Sequence, residues 1–113
     1  MQQTKLGTVR IAPSVLAMIV SLTARSIGGV VGVSAVSRPS GRVLQRGNTG
    51  HAPGVTLTVR NGTVSADVYV VAAPETNLRK LGLTVQRLVR EALNQMVGIP
   101  AEQVNVFIED VGE

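Results

Sequence analysis

Apolar and polar positions change rhythm several times along this chain, and each change marks an element. Side chains alternate faces along a strand and return every three to four residues on a helix. The segment Thr8-Val9-Arg10-Ile11 alternates and predicts a first strand. Pro13, whose missing amide donor is not needed at a first helical position, then opens a helix to about Ile27. Gly28 and Gly29 stop that helix, and Val31 to Arg38 reads as a second strand.

The clearest pattern is Val55-Thr56-Leu57-Thr58-Val59-Arg60-Asn61-Gly62-Thr63-Val64-Ser65-Ala66-Asp67-Val68. Asn-Gly adopts the positive φ angles of a tight hairpin turn. That turn sets Arg60 opposite Thr63, Val59 opposite Val64, Leu57 opposite Ala66 and Val55 opposite Val68. Thr58 with Ser65 and Thr56 with Asp67 fall on the other side, which gives the hairpin one buried and one polar face. Between the second strand and the hairpin, residues 39–53 are rich in Ser, Gly, Arg, Asn and Gln without periodicity, and predict a flexible basic loop.

A second helix is predicted from about Asn77 to Val97, with Leu78, Leu81, Val85, Leu88, Val89, Ala92, Leu93 and Met96 on one stripe. Gly98 is its expected C-cap and Pro100 prevents continuation. A last strand follows, with Val104, Val106 and Ile108 inward and Asn105, Phe107 and Glu109 outward. In the first helix Ser14, Met18, Ser21 and Arg25 form one narrow stripe and almost every other position is apolar, so the helix needs cover on more than one side. Two covers are open: the sheet together with the second helix, or another subunit or a membrane partner.

The expected order is β-α-β-β-β-α-β, an α+β two-layer sandwich in which a mixed sheet carries two helices on one face. The opposite sheet face would hold Arg10, Thr56, Thr58, Arg60, Ser65, Asp67, Tyr69, Asn105, Phe107 and Glu109. Tyr69 and Phe107, the chain's aromatic residues, both point outward in this arrangement, and exposed aromatic surface implies contact with a partner.

Composition narrows the chemistry. The chain has 113 residues, enough for one independent core. It has no cysteine, which excludes disulfides and thiolate metal sites and implies a reducing, cytoplasmic setting. No signal peptide is read at Met1-Gln2-Gln3-Thr4-Lys5, and the apolar run from Val15 to Val20 is far short of the ~20 residues that cross a bilayer. The 11 basic and 7 acidic residues give a net charge of +4, a modest attraction to polyanions or anionic membrane surfaces.

No catalytic set emerges. His51 is the single histidine, so neither a zinc site nor a serine-histidine nucleophile is expected. Glu109 and Asp110 are adjacent on a strand and diverge, unlike a paired acid-base site. Gly29-Val30-Val31-Gly32 has the letters of a GXXG nucleic-acid clamp but lacks basic residues and reads as a turn. The residues expected to bind partners are Tyr69, Phe107 and Leu83, the second-helix cations Arg79, Arg87 and Arg90, and the loop cations Arg38, Arg42 and Arg46. Solvated surface charge is the plain alternative for both basic groups.

Gly7-Thr8-Val9-Arg10-Ile11-Ala12-Pro13-Ser14-Val15-Leu16, Ile27-Gly28-Gly29-Val30-Val31-Gly32-Val33, Gly54-Val55-Thr56-Leu57-Thr58-Val59, Val85-Gln86-Arg87-Leu88-Val89, Met96-Val97-Gly98-Ile99-Pro100 and Val104-Asn105-Val106-Phe107-Ile108-Glu109-Asp110-Val111 occur in this order. Together they resemble the alkaline shock protein family of Gram-positive envelope stress proteins, across nearly the whole chain as one domain over residues 1–113. The resemblance implies a small cytoplasmic, non-enzymatic protein that forms homo-oligomers and is recruited to the inner membrane surface by a membrane-embedded partner. It implies no cofactor and no small-molecule substrate. Some relatives are linked to lipid-metabolism enzymes, so regulation of such an enzyme is one alternative. Binding of RNA or another anionic surface through an open sheet is a second.

Overall fold

The computed structural model describes residues 7, 9–34 and 48–112. In chain order the elements are α1 (Pro13–Arg25), β1 (Val30–Val33), β2 (Thr49–Ala52), β3 (Val55–Arg60), β4 (Thr63–Ala72), α2 (Leu78–Ala92), a single π-helical turn (Leu93–Val97) and β5 (Ala101–Val111). This is the expected α+β two-layer arrangement, with both helices packed on one face of a five-stranded mixed sheet.

β4 is the axis of the sheet. Along one edge it pairs in parallel with β5, from Val64 opposite Ala101 to Ala72 opposite Val111. A parallel pair needs a long crossover, and α2 supplies it. Along its other edge β4 pairs antiparallel first with β3 and then with β1, which lie end to end. The change of partner falls at Tyr69, whose N–H donates to the Gly54 carbonyl at 2.8 Å while its carbonyl accepts from the Ser34 N–H at 3.0 Å. The β3–β4 hairpin has the predicted register at every pair, and Asn61 and Gly62 both take positive φ, 53° and 79°.

The core is aliphatic. On one face of the sheet, Val55, Leu57, Val64, Ala66, Val68, Val70, Ala72 and Val104 meet Leu16, Ala17, Val20 and Ala24 of α1 with Ile27, and beside them Leu81, Val85 and Val89 of α2 with Leu93. Each fully buried Val or Leu contributes roughly 1.5–3 kcal/mol relative to exposure. The Asn77 side chain accepts from the Lys80 N–H at 3.0 Å and caps α2, while Gly98, at φ 70°, ends the π turn. Gln86 Nε2 donates to the Val104 carbonyl at 3.0 Å and ties α2 to β5.

Several sequence expectations are corrected. The strand expected at Thr8–Ile11 is absent over Val9, Arg10 and Ile11, while Thr8 lies outside the described residues. Alternation of two apolar residues makes a strand only where a sheet edge accepts it. The free edge of β3 is taken by β2, so the observed order starts α-β-β-β-β instead of β-α-β-β-β. β2 falls in the segment read as a flexible loop over 39–53. Its side chains are small or polar, so no apolar alternation announced it. The signal was Pro53-Gly54, which reverses the chain so that Ala52 pairs with Val55. The second strand ends at Val33, and its expected continuation from 35 to 38 lies outside the described residues.

Ser21 does not belong to a solvent stripe of α1. It is fully buried, and its hydroxyl donates to the Pro53 carbonyl at 2.7 Å. The small residues Ala17, Ser21 and Ala24 let α1 lie close on the sheet, and that rotation leaves Val15, Met18 and Leu22 exposed. At the ends of the second helix's apolar stripe, Leu78 and Met96 are exposed as well.

The closest approach is at Gly50, where a Cβ would collide with the Pro13 carbonyl and sit 2.7 Å from the Ser14 nitrogen. Backbone cannot move aside as a flexible side chain can. Gly50→Ala is therefore expected to cost about 1–3 kcal/mol, the range for overpacking, seen as a lower urea midpoint with unchanged slope. Gly28→Ala, where a Cβ meets nothing within 4 Å, is the control and should shift the midpoint far less.

Candidate functional site

Because β4 alternates strictly, burying one face sends Ser65, Asp67, Tyr69 and Val71 to the other. Parallel register sets Tyr69 beside Phe107 and Asp67 beside Asn105. The two rings stack with centroids 4.8 Å apart and planes 17° from parallel. Such a pair contributes about 0.5–1.5 kcal/mol beyond its buried area. Phe107 is still 42% exposed, so the stack presents an aromatic plate. The sequence-predicted outward pair is thus brought together at one point.

The plate has an acidic and polar border. Asn105 Nδ2 donates to Asp67 Oδ1 at 2.9 Å, so an amide separates that carboxylate from the rest of β5. Partial burial raises the Tyr69 phenol above its ordinary 10.0, and the nearby charges of Asp67 and Glu109 push it further the same way. Beyond Tyr69 on β4 lies Val71. Its Cγ1 and Val31 Cγ2 converge on the spot a Gly112 Cβ would occupy, at 3.3 and 3.1 Å, and extend the apolar surface.

The second predicted group sits on the opposite layer. Arg79, Lys80, Leu83, Arg87 and Arg90 are exposed on the side of α2 turned away from the sheet. Leu83 lies four residues from both Arg79 and Arg87, hence among cations on one helical face. Arg87 reaches Glu91 at 3.6 Å with both side chains largely solvated, a contact worth little. The structure therefore does not join the α2 group with Tyr69 and Phe107 but separates them by the thickness of the molecule. Arg38, Arg42 and Arg46 lie outside the described residues.

Sequence reasoning missed a third surface, the outward side of α1 with Ile11, Val15, Met18 and Leu22. Their spacing of four, three and four residues was the available signal. Reactive groupings are scarce. Among the described residues no three His, Asp or Glu side chains come together where they could hold a metal ion. His51 is exposed on β2, and a shallow polar depression at the hairpin end is lined by Thr58, Arg60, Ser65, Glu102 and Gln103. The arrangement offers contact surfaces: one aromatic with an acidic border, one cationic, one aliphatic.

An aliphatic two-layer core with an uncovered aromatic sheet face defines a small module that presents surfaces. The chain belongs to the alkaline shock protein 23 family, of cell envelope-related function, whose profile matches residues 1–112. It is 28% identical over 107 residues to the uncharacterized protein YqhY of Bacillus subtilis, covering 95% of this chain and 78% of YqhY. It is 29% identical over 111 residues to the uncharacterized protein Spy1614 of Streptococcus pyogenes, covering 96% and 90%. Among solved structures, the copper form of MamM CTD superposes with a TM-score of 0.60 at 15% identity, over 87% of this chain and 85% of that one. At that identity the likeness is one of fold.

Tyr69 is the only tyrosine, so its ionisation is readable by ultraviolet absorbance without interference. Its midpoint is expected above 10.0. Asp67→Asn should lower that midpoint without restoring the ordinary value, because burial is the larger cause. A raised folded-state value means that the native chain holds the proton more tightly than the unfolded one. Stability is therefore intact below pH 10 and declines as pH rises from there through the folded-state midpoint. A titration midpoint at or below the ordinary value would contradict this account.

Proposed function

We propose that this protein is a non-enzymatic docking module of the cell envelope, one that self-associates and is recruited to the inner membrane surface by a membrane-embedded partner. The observation that carries the reading is where the aromatics lie. The chain has one Tyr, one Phe and no Trp, and neither ring serves the core. Both are stacked on a sheet face that no described helix covers. Aromatic residues are over-represented in the few positions that dominate contact energies, so two spent on an open face mark it for a partner.

The membership in a family of envelope-related function supports the location. Among the described residues no helix is long and apolar enough to cross a membrane. The cationic side of α2 is suited to the partner's acidic segment or to the anionic lipid around it. RNA binding is the second reading, favoured by that cationic side and opposed by Asp67 and Glu109 beside the rings, where phosphate would be repelled.

The test uses the native cell. Tyr69→Ser combined with Phe107→Ser is expected to release the protein from the membrane fraction about tenfold, the effect of roughly 1.4 kcal/mol in binding, with an unchanged far-ultraviolet spectrum. Arg87→Glu combined with Arg90→Glu should weaken membrane recovery in the same assay without unfolding the chain. Membrane recovery indifferent to both pairs of substitutions, or a salt-sensitive shift of single-stranded RNA by the wild type, would overturn the reading in favour of another role.

A further inference from the structure

From the outward face of α1 we infer that it is the self-association surface, and that a second copy of this chain docks on it antiparallel about a two-fold axis. The inference rests on the self-association reading above and names the face that reading leaves open. Val15, Met18 and Leu22 are 49%, 42% and 53% exposed on a helix whose opposite side is packed on the sheet, and Ile11, 39% exposed, lies in the extended segment that leads into it. Neither α2 nor any described strand covers it.

Three observations select a second copy as the occupant. The first is register. The steps of three and four from Val15 through Met18 to Leu22 follow the 3.5-residue repeat of a helix-helix seam. Ile11 stands four residues before Val15 in the segment entering the helix, and the apolar set is self-complementary when reversed. An axis passing midway between Val15 and Met18 sets Val15 against Met18 of the second copy and Ile11 against its Leu22. All four positions then find an apolar partner in both directions, which is what an isologous contact requires.

The second observation is charge. From Ile11 to Ala24 the chain carries no ionisable side chain, so two copies meet along the seam without like charges opposed. The other two surfaces fail this condition. Two α2 faces would set Arg79, Lys80, Arg87 and Arg90 against the same four, and two sheet faces would oppose Asp67 and Glu109 to themselves. The third observation is the nature of the exposed side chains. A membrane-surface helix combines large apolar side chains with Lys or Arg on its polar side. α1 has no aromatic residue, and its only cation is Arg25 in the last turn.

The seam is short, spanning one helix of 13 residues. It therefore supports a reversible dimer in the micromolar range, less than the ~800 Å² per partner of a standard stable interface. At each end of the seam Arg10 of one copy comes near Arg25 of the other, so added salt should hold the dimer or tighten it. Binding to anionic lipid would weaken with salt instead.

The experiment is sedimentation equilibrium of the purified full chain. Wild type is expected to pass from monomer to dimer with concentration. Met18→Glu alone and Val15→Lys alone should each abolish the dimer. Both positions are exposed, so the thermal transition of the monomer verifies folding. The double variant V15K/M18E is the decisive arm. In the antiparallel arrangement each new Lys faces a new Glu, and dimers should return, now sensitive to salt.

In a parallel arrangement Lys faces Lys, and the double variant stays monomeric, which overturns the proposal. A dimer unaffected by Met18→Glu but lost on Tyr69→Ser with Phe107→Ser leaves self-association standing and overturns the α1 assignment. A wild type monomeric at all concentrations, yet bound to phosphatidylglycerol vesicles in a Met18-dependent way, gives the face to the membrane and overturns it also.

Discussion

β4 is hydrogen-bonded along both edges, to β5 on one side and to β3 and then β1 on the other. With its backbone satisfied by neighbours, the only freedom left to its ten residues is which side chains go to which face. Val64, Ala66, Val68, Val70 and Ala72 are all buried, and the residues between them are not. This alternation decides the rest. A strand with one apolar face recruits both helices to that face, because only there does each find an apolar surface to match its own stripe. No described helix packs on the other face, which carries the aromatic pair.

Tyr69 occupies the point at which that strand changes partner. Its carbonyl is held by Ser34, just past β1, and its amide by Gly54, just before β3, so the phenol ring springs from a backbone fixed on both sides. Gly54 makes the junction possible. Its φ is 75°, a left-handed conformation, and a Cβ there would lie 2.5 Å from the Cβ of Val33. The break between β3 and β1 is thus a tight splice, and it places Tyr69, whose phenol is pushed up by partial burial, on a rigid base. Rings presented from a rigid strand lose little freedom on binding, which favours their use as contact residues.

The two layers differ in electrostatic character as well as in secondary structure. The helical layer shows Arg79, Lys80, Arg87 and Arg90 to solvent against Glu91, while the sheet face carries Asp67 and Glu109 beside the rings. Charge separated in this way orients approaching partners without adding much to the stability of the isolated chain. The uncharged side of α1 stands apart from both.

Much of this was legible from residue order. The period-two alternation from Val55 to Val68 and the Asn61-Gly62 turn contained the hairpin register, since each side chain's face follows from its neighbour's once the turn is set. The stripe of α2, its Asn77 start and its Gly98 end were equally local, as was the outward direction of Tyr69 and Phe107. β2 was hidden because Thr49, Gly50, His51 and Ala52 have no apolar rhythm. They form a strand only because β3 offers an edge, and Gly50 fits beneath α1 because it lacks a side chain. Val9 to Ile11 pair with no described strand.

What the sequence determined alone was therefore everything governed by short-range periodicity and turn chemistry: the hairpin, the helices and the uncovered face. Tertiary structure decided which segments won the sheet edges, that Ser21 turns inward to the Pro53 carbonyl, and that Val15, Met18 and Leu22 turn outward. These depend on close packing between segments distant in the chain. A helix with apolar residues nearly all round has several orientations of similar local merit, and the fit of Ala17, Ser21 and Ala24 against the sheet chose one.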